Sequence, residues 1–135
     1  MAYAEVPDLL ARWHPLTTDE QAKAAILLGD ASFWLRVWVR KSAGDIAPEI
    51  EAGREDIITA AKLLTVAMVK RAMLAEDSER PGVASVQETA GMYSEQVVYR
   101  NPDGNLYLYE SELDSLVSLM REKPADAVSY TSLGL

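Results

Sequence analysis

The chain is 135 residues long, 49% hydrophobic and 25% charged, values that suit one folded domain with a modest core and exclude two domains or an intrinsically disordered chain. Its 21 acids against 13 lysines and arginines leave a net charge of −8, which repels phosphate backbones and disfavours tight nucleic-acid binding. The absence of cysteine removes disulfides, thiolate catalysis and cysteine-ligated zinc.

At the start of the chain, Pro7 suits a first helical position and Asp8 the positive end of a helix, so a short helix is expected to about Trp13. His14-Pro15 stops it, because proline disfavours helical geometry in the residue before it. Met1 to Arg12 holds acids and a proline instead of a signal-peptide core, and no apolar run approaches the roughly 20 residues needed to span a bilayer. The expected setting is the cytosol, or a larger particle in which the protein leaves the cell, with no membrane partner.

Thr17 and Glu20 have capping-box spacing and open a long second helix. Ala24, Leu27, Leu28, Ala31, Trp34, Leu35 and Trp38 recur at helical spacing on one face, while Ile26, Phe33 and Val37 form a second, so the helix is expected to be covered on more than one side. Arg40 to Gly53, with Gly44, Pro48 and Gly53, reads as a loop with room for a short helical turn. A third helix follows from about Arg54 to Ala75. Only Lys62 is charged between Ile57 and Val69, which makes this the central helix.

Charge, proline and glycine in "EDSERPGV" break the helical pattern, and from Val83 the chain is rich in Val, Thr and Tyr. Two short strands in a hairpin at about 83–100 are expected. Tyr93, Val97 and Tyr99 share one face of the second strand; neither face is strongly apolar, so the hairpin is expected to project and complete its burial on a partner. Asn101-Pro102-Asp103-Gly104 matches a type I turn. After "NLYLY", Ser111 and Asp114 have capping spacing, and Leu113, Leu116, Val117 and Met120 form a short amphipathic helix that ends before Pro124. The last residues, "ADAVSYTSLGL", read as an arm.

The fold class is therefore mainly α: a small helical bundle with an inserted β-hairpin and an extended C-terminal arm, organised as a helical domain over 1–124 and an arm over 125–135. Its core is expected to hold Trp13, Leu27, Leu28, Trp34, Leu35, Ile57, Ala61, Leu64, Met68, Leu113 and Leu116.

The inventory for catalysis is thin. His14 is the one histidine and has no acid within four residues. Glu110, Glu112 and Asp114 are too evenly spaced to share one helix face, and "NPDGN" lacks the spaced ligand set of a calcium loop. No phosphate loop or G-x-G-x-x-G is present. No catalytic residue, cofactor or metal site is expected. Two other function classes make definite claims: a metal-assisted enzyme around Glu110 to Asp114, and a small helical DNA-binding regulator using Lys62, Lys70 and Arg71.

"DLLARWHPLTTDEQAKAAILLGDAS" (Asp8 to Ser32), "AMVKRAM" (Ala67 to Met73) and "VQETAGMYSEQVVYRNPDGNLYLYESEL" (Val86 to Leu113) together resemble the head-to-tail adaptors of long-tailed phages, also called head completion or connector proteins. The resemblance covers most of the chain. It implies a helical protomer with a hairpin, assembled as a dodecameric ring in the virion neck between the portal protein and a head-closure or tail protein. DNA passes through the lumen only as cargo, and no catalysis is known in the family. Carried over by position, the hairpin Val86 to Tyr99, the Asn101 to Leu108 turn and the arm Ala125 to Leu135 become candidate contacts with other subunits or the portal. The expected contact residues are Val86, Tyr93, Val97, Tyr99, Tyr107 and Tyr109, then Val128, Tyr130, Leu133 and Leu135 of the arm. Tyr109 stands where a threonine cap is common in the family, so Ser111 is expected to cap the last helix, and Arg40 to Gly53 has no counterpart. A ring needs two different complementary patches on each subunit; the projecting hairpin and a groove on the helices of Trp34 or Met68 are the candidates.

Overall fold

The computed structural model describes residues 2–77 and 98–122. Over them the chain is mainly helical, with five helices and one two-stranded antiparallel hairpin. The part of the expected hairpin at 83–97 and the arm at 125–135 lie outside the described residues.

Helix α1, Val6–Ala11, begins where the Asp8 carboxylate accepts the Glu5 amide at 2.8 Å, and stops two residues short of the expected Trp13. Helix α2, Thr18–Ala43, opens on the expected capping box. Thr17 Oγ1 accepts from the Glu20 amide at 3.1 Å, and Glu20 Oε1 accepts from the Thr17 amide at 2.8 Å. The helix runs past the expected loop boundary at Arg40 and ends at Gly44, whose φ of +103° is open to glycine at little steric cost. Asp45 then accepts the Ala47 amide at 3.0 Å and leads into α3, Ala47–Glu51. Much of the stretch expected to be loop is thus helical, and it drops Ile46, fully buried, into the core.

Helix α4, Glu55–Asp77, packs against α1, α2 and α3, which makes it the central element expected from its apolar run. Its start is tied down by Arg54, whose side chain is only 9% exposed. That guanidinium donates to Glu49 Oε1 at 3.0 Å and, across 65 residues of sequence, to the Leu119 carbonyl at 2.9 Å.

Strands β1, Val98–Arg100, and β2, Tyr107–Tyr109, pair antiparallel with Tyr99 opposite Leu108. The turn between them follows the expected chemistry. Gly104, at φ +82°, returns its amide to the Asn101 carbonyl at 2.9 Å, and the Asn101 side chain accepts the Leu106 amide at 3.1 Å. This hairpin, built from 98–100 and 107–109, is offset from the one expected at about 83–100, and it lies against the body: Leu106 and Leu108 are at most 1% exposed, one on each side of Tyr107.

Helix α5, Glu110–Arg121, packs on α2 and α4. It begins one residue before the expected Ser111 cap, because Glu112 reaches back to accept the Tyr109 amide at 3.0 Å. Ser111 instead lies in the first turn, its carbonyl accepting from Ser115 Oγ at 3.0 Å.

The core collects Leu27, Leu28 and Leu35 of α2, Ile57, Ala61 and Met68 of α4, and Leu113 and Leu116 of α5, as expected, with Trp13, Trp34 and Leu64 half-buried at its edge. Each fully buried leucine or isoleucine contributes about 1.5–3 kcal/mol of burial free energy, so these faces, not helix propensity, hold α2, α4 and α5 together. Val39 joins them from the last turns of α2, and Leu9, Ile46, Leu106 and Leu108 from segments where periodicity is too short to mark a buried face.

Candidate functional site

The aromatic segment after residue 97 folds back on its own protomer. Tyr99 shares the β-face of Leu108 and lays its ring against Trp38, centroid to centroid 6.0 Å, which itself stacks at 6.2 Å on Trp34. The opposite face holds Tyr107 and Tyr109, edge to face at 5.9 Å. Arg71 of α4 lies over both rings, 5.5 Å from Tyr107 and 5.0 Å from Tyr109.

Arg71 also forms a two-point fork on Glu112, with one limb at 2.8 Å, and donates to the Tyr107 carbonyl at 3.3 Å. Burial works against the guanidinium charge, but the Glu112 carboxylate outweighs it and pushes the arginine further above its ordinary range. Burial, with Tyr109 beside it, raises the Tyr107 phenol as well. Arg100 covers Tyr107 from outside at 4.7 Å and donates to the Gly104 carbonyl at 2.9 Å. The site is a latch between α4, the hairpin and the head of α5, with Tyr99, Tyr107 and Tyr109 each left partly exposed. The other expected contact residues, Val86, Tyr93, Val97, Val128, Tyr130, Leu133 and Leu135, lie outside the described residues.

The charged groups singled out in the sequence are occupied by neighbours. Lys62 sits 3.6 Å from Asp8, Lys70 donates to the Arg12 carbonyl at 3.3 Å with its ammonium 6.0 Å from the Trp13 ring, and Arg71 belongs to Glu112. Of the acidic trio, Glu112 is held by Arg71 while Glu110 and Asp114 are exposed. Among the described residues, no three His, Asp or Glu side chains gather to hold a metal ion. His14 is exposed, stacked 4.5 Å from Trp13 and bonded through Nδ1 to the Pro15 carbonyl at 2.8 Å. That geometry fixes a loop; it presents no base to a cleft. Among the described residues, no helix is long and apolar enough to cross a membrane.

Within the protomer, the second apolar face of α2 is left open. Ile26 is 68% exposed and Phe33 58%, although Val37 packs on the core. Helix α4 shows a matching outer ridge, with Leu63 45% and Leu74 44% exposed. Met68, expected in the core, is fully buried on the other side of that helix. Beside Phe33 a shallow groove of about 280 Å³ runs between the N-terminal segment, α2 and α3, walled by Tyr3, Arg36 and Ile50. Arg36 is forked on Asp45 at 3.0 and 3.2 Å, which holds that carboxyl below its ordinary range.

The sequence signal for the open face of α2 was present: apolar residues seven apart and off the main stripe. Leu63 gave none, because around Lys62 apolar residues fall on every side of α4.

A family model described as phage protein Gp19/Gp15/Gp42 matches residues 12–125. No curated protein and no solved structure matches the chain.

Proposed function

The chain belongs to the phage protein Gp19/Gp15/Gp42 family, and we propose that this bacteriophage protein is a structural adaptor of the virion neck, a homo-oligomeric ring between the portal and a head-closure or tail protein. It acts by assembly and not by chemistry. The observation that carries this reading is the open apolar face of α2, where Ile26 and Phe33 stay exposed while the opposite face of the helix is buried in the core. Apolar patches of that kind mark contact surfaces.

A net charge of −8 suits a ring through which DNA slides, since an acidic wall does not replace the counterions of a phosphate backbone. The resemblance over Asp8 to Ser32, Ala67 to Met73 and Val86 to Leu113 supports a position between portal and tail. A DNA-binding regulator has less support, because Lys62, Lys70 and Arg71 are each engaged within the protomer.

The test is the mass of the purified protein by light scattering, alone and after mixing with portal from the same particle. A discrete ring-loaded portal is expected. A well-folded protein that never associates with portal, at any concentration, overturns the reading.

A further inference from the structure

The outer stripe of α2 consists of Ala22, Ile26, Gly29, Phe33 and Arg40, all exposed. The outer stripe of α4, read from its C-terminal end, consists of Leu74, Lys70, Ala67, Leu63 and Asp56, all exposed or half-buried. The two have the same spacing: steps of four, three, four and seven residues.

Each stripe lies on the side of its helix opposite the buried face, and the buried faces of α2 and α4 meet in one core. The stripes therefore look away from each other, so one protomer cannot close them on itself.

We propose that these stripes are the two halves of a head-to-tail contact between copies of this chain, with α2 of one copy lying antiparallel on α4 of the next. The proposal rests on the adaptor reading for its setting and adds the surfaces and their direction. In the antiparallel register Phe33 meets Leu63, Gly29 meets Ala67 where the backbones come closest, and Ala22 receives Leu74. Ile26 lies on the methylene stem of Lys70, whose ammonium is already turned toward Arg12 and Trp13.

Charge selects the direction. Antiparallel pairing brings Arg40 to Asp56, which is 47% exposed and 3.6 Å from its own Arg54. Parallel pairing with Phe33 still on Leu63 would set Arg40 against Lys70 and Ile26 against Asp56, a like-charge pair and an apolar group on a carboxylate. Because the two patches differ and face apart, repeating the contact gives a ring or an open chain of subunits and not a closed two-fold dimer.

The chain has no cysteine, so single thiols report directly. At Gly29 an added Cβ meets nothing within 4 Å. Full-length Gly29→Cys and Ala67→Cys proteins are mixed and mildly oxidised, with and without portal, and the disulfide-linked species counted by mass. The mixed disulfide is expected to exceed either homodimer by about tenfold. Arg40→Glu should bring it to the statistical proportion, and adding Asp56→Arg to the Arg40→Glu chains' partner should restore it.

Statistical disulfides under both conditions, or a mixed excess untouched by Arg40→Glu, overturn the pairing. Portal loading is scored separately by light scattering. Loaded portal with statistical disulfides defeats this contact and leaves the adaptor reading standing, whereas mixed disulfides without portal loading do the reverse.

Discussion

Arg71 and Glu112, 41 residues apart, meet in a two-point fork that closes α4 onto the first turn of α5. Glu112 uses the same carboxylate to hold the Tyr109 amide, so one side chain both starts the helix and docks it. Half-buried on each side, the pair lies between the exposed and fully buried regimes of ion-pair energetics.

Glu112→Ala should therefore cost about 1–3 kcal/mol, because it strands Arg71 between two aromatic rings and releases a helix cap. Urea unfolding is the measurement: a lower midpoint at constant slope is expected. Glu112→Gln, which keeps an acceptor for the amide, should cost less. A midpoint unchanged by Glu112→Ala would show that the fork adds nothing to folding.

Asn101 is 7% exposed, and its side chain spans the turn, accepting from the Leu106 amide and donating to Asn105 at 2.9 Å. Asn101→Ala leaves the buried Leu106 amide without its side-chain acceptor and should cost about 1–3 kcal/mol. Hydrogen exchange at Leu106 and Leu108 should accelerate well before exchange in α2. Equal protection in variant and parent would mean the turn is held by its backbone alone.

Thr17→Ala should destabilise by about 1 kcal/mol through the exposed cap of α2, and Glu20→Ala by less. The two belong to one box, so the double variant should lose less than the sum of the singles. Thermal melts of the four proteins decide it; strict additivity would mean the two bonds act independently.

The Tyr107 phenol is raised by burial and by Tyr109. A group whose folded pKa lies above its unfolded value near 10 supplies stability that is complete below that value and is lost as pH rises through the folded pKa. Stability should accordingly fall at alkaline pH, and Tyr107→Phe should flatten that fall while leaving stability near neutrality little changed. Urea midpoints taken on both sides of pH 10 test this, and an identical alkaline loss in the Phe variant would assign the effect elsewhere. Tyr3, raised mainly by burial, is the natural second site to compare.

Sequence reading succeeded where the physics is local or periodic. Thr17 and Glu20 lie one turn apart, so their reciprocal bonds announce themselves, and the broad stripes of α2 and α4 place Leu28, Leu35, Ile57 and Met68 inside. Asn101 to Gly104 shows its turn through residue chemistry alone. Reading failed where the outcome depends on elements distant in the chain. Ser111 looked like the better cap until Glu112, held in place by Arg71, reached back to Tyr109.

Ile46 looked like a loop residue because a five-residue helix shows no period. Leu106 and Leu108 alternate with tyrosines over too few residues to declare a strand, and only α4 and α5 beneath them turn the leucines into core. For the candidate surfaces, the exposure of Ile26 and Phe33 followed from which of two apolar faces the rest of the bundle could reach.

Arg54 has a mechanical consequence. In the last turn of α5 the Leu119 carbonyl is gripped by a side chain rooted at the start of α4 and braced on Glu49 of α3. Tension reaching that carbonyl along α5 is therefore shared with two other helices, so the last turn is built as a cleat and not as a frayed end.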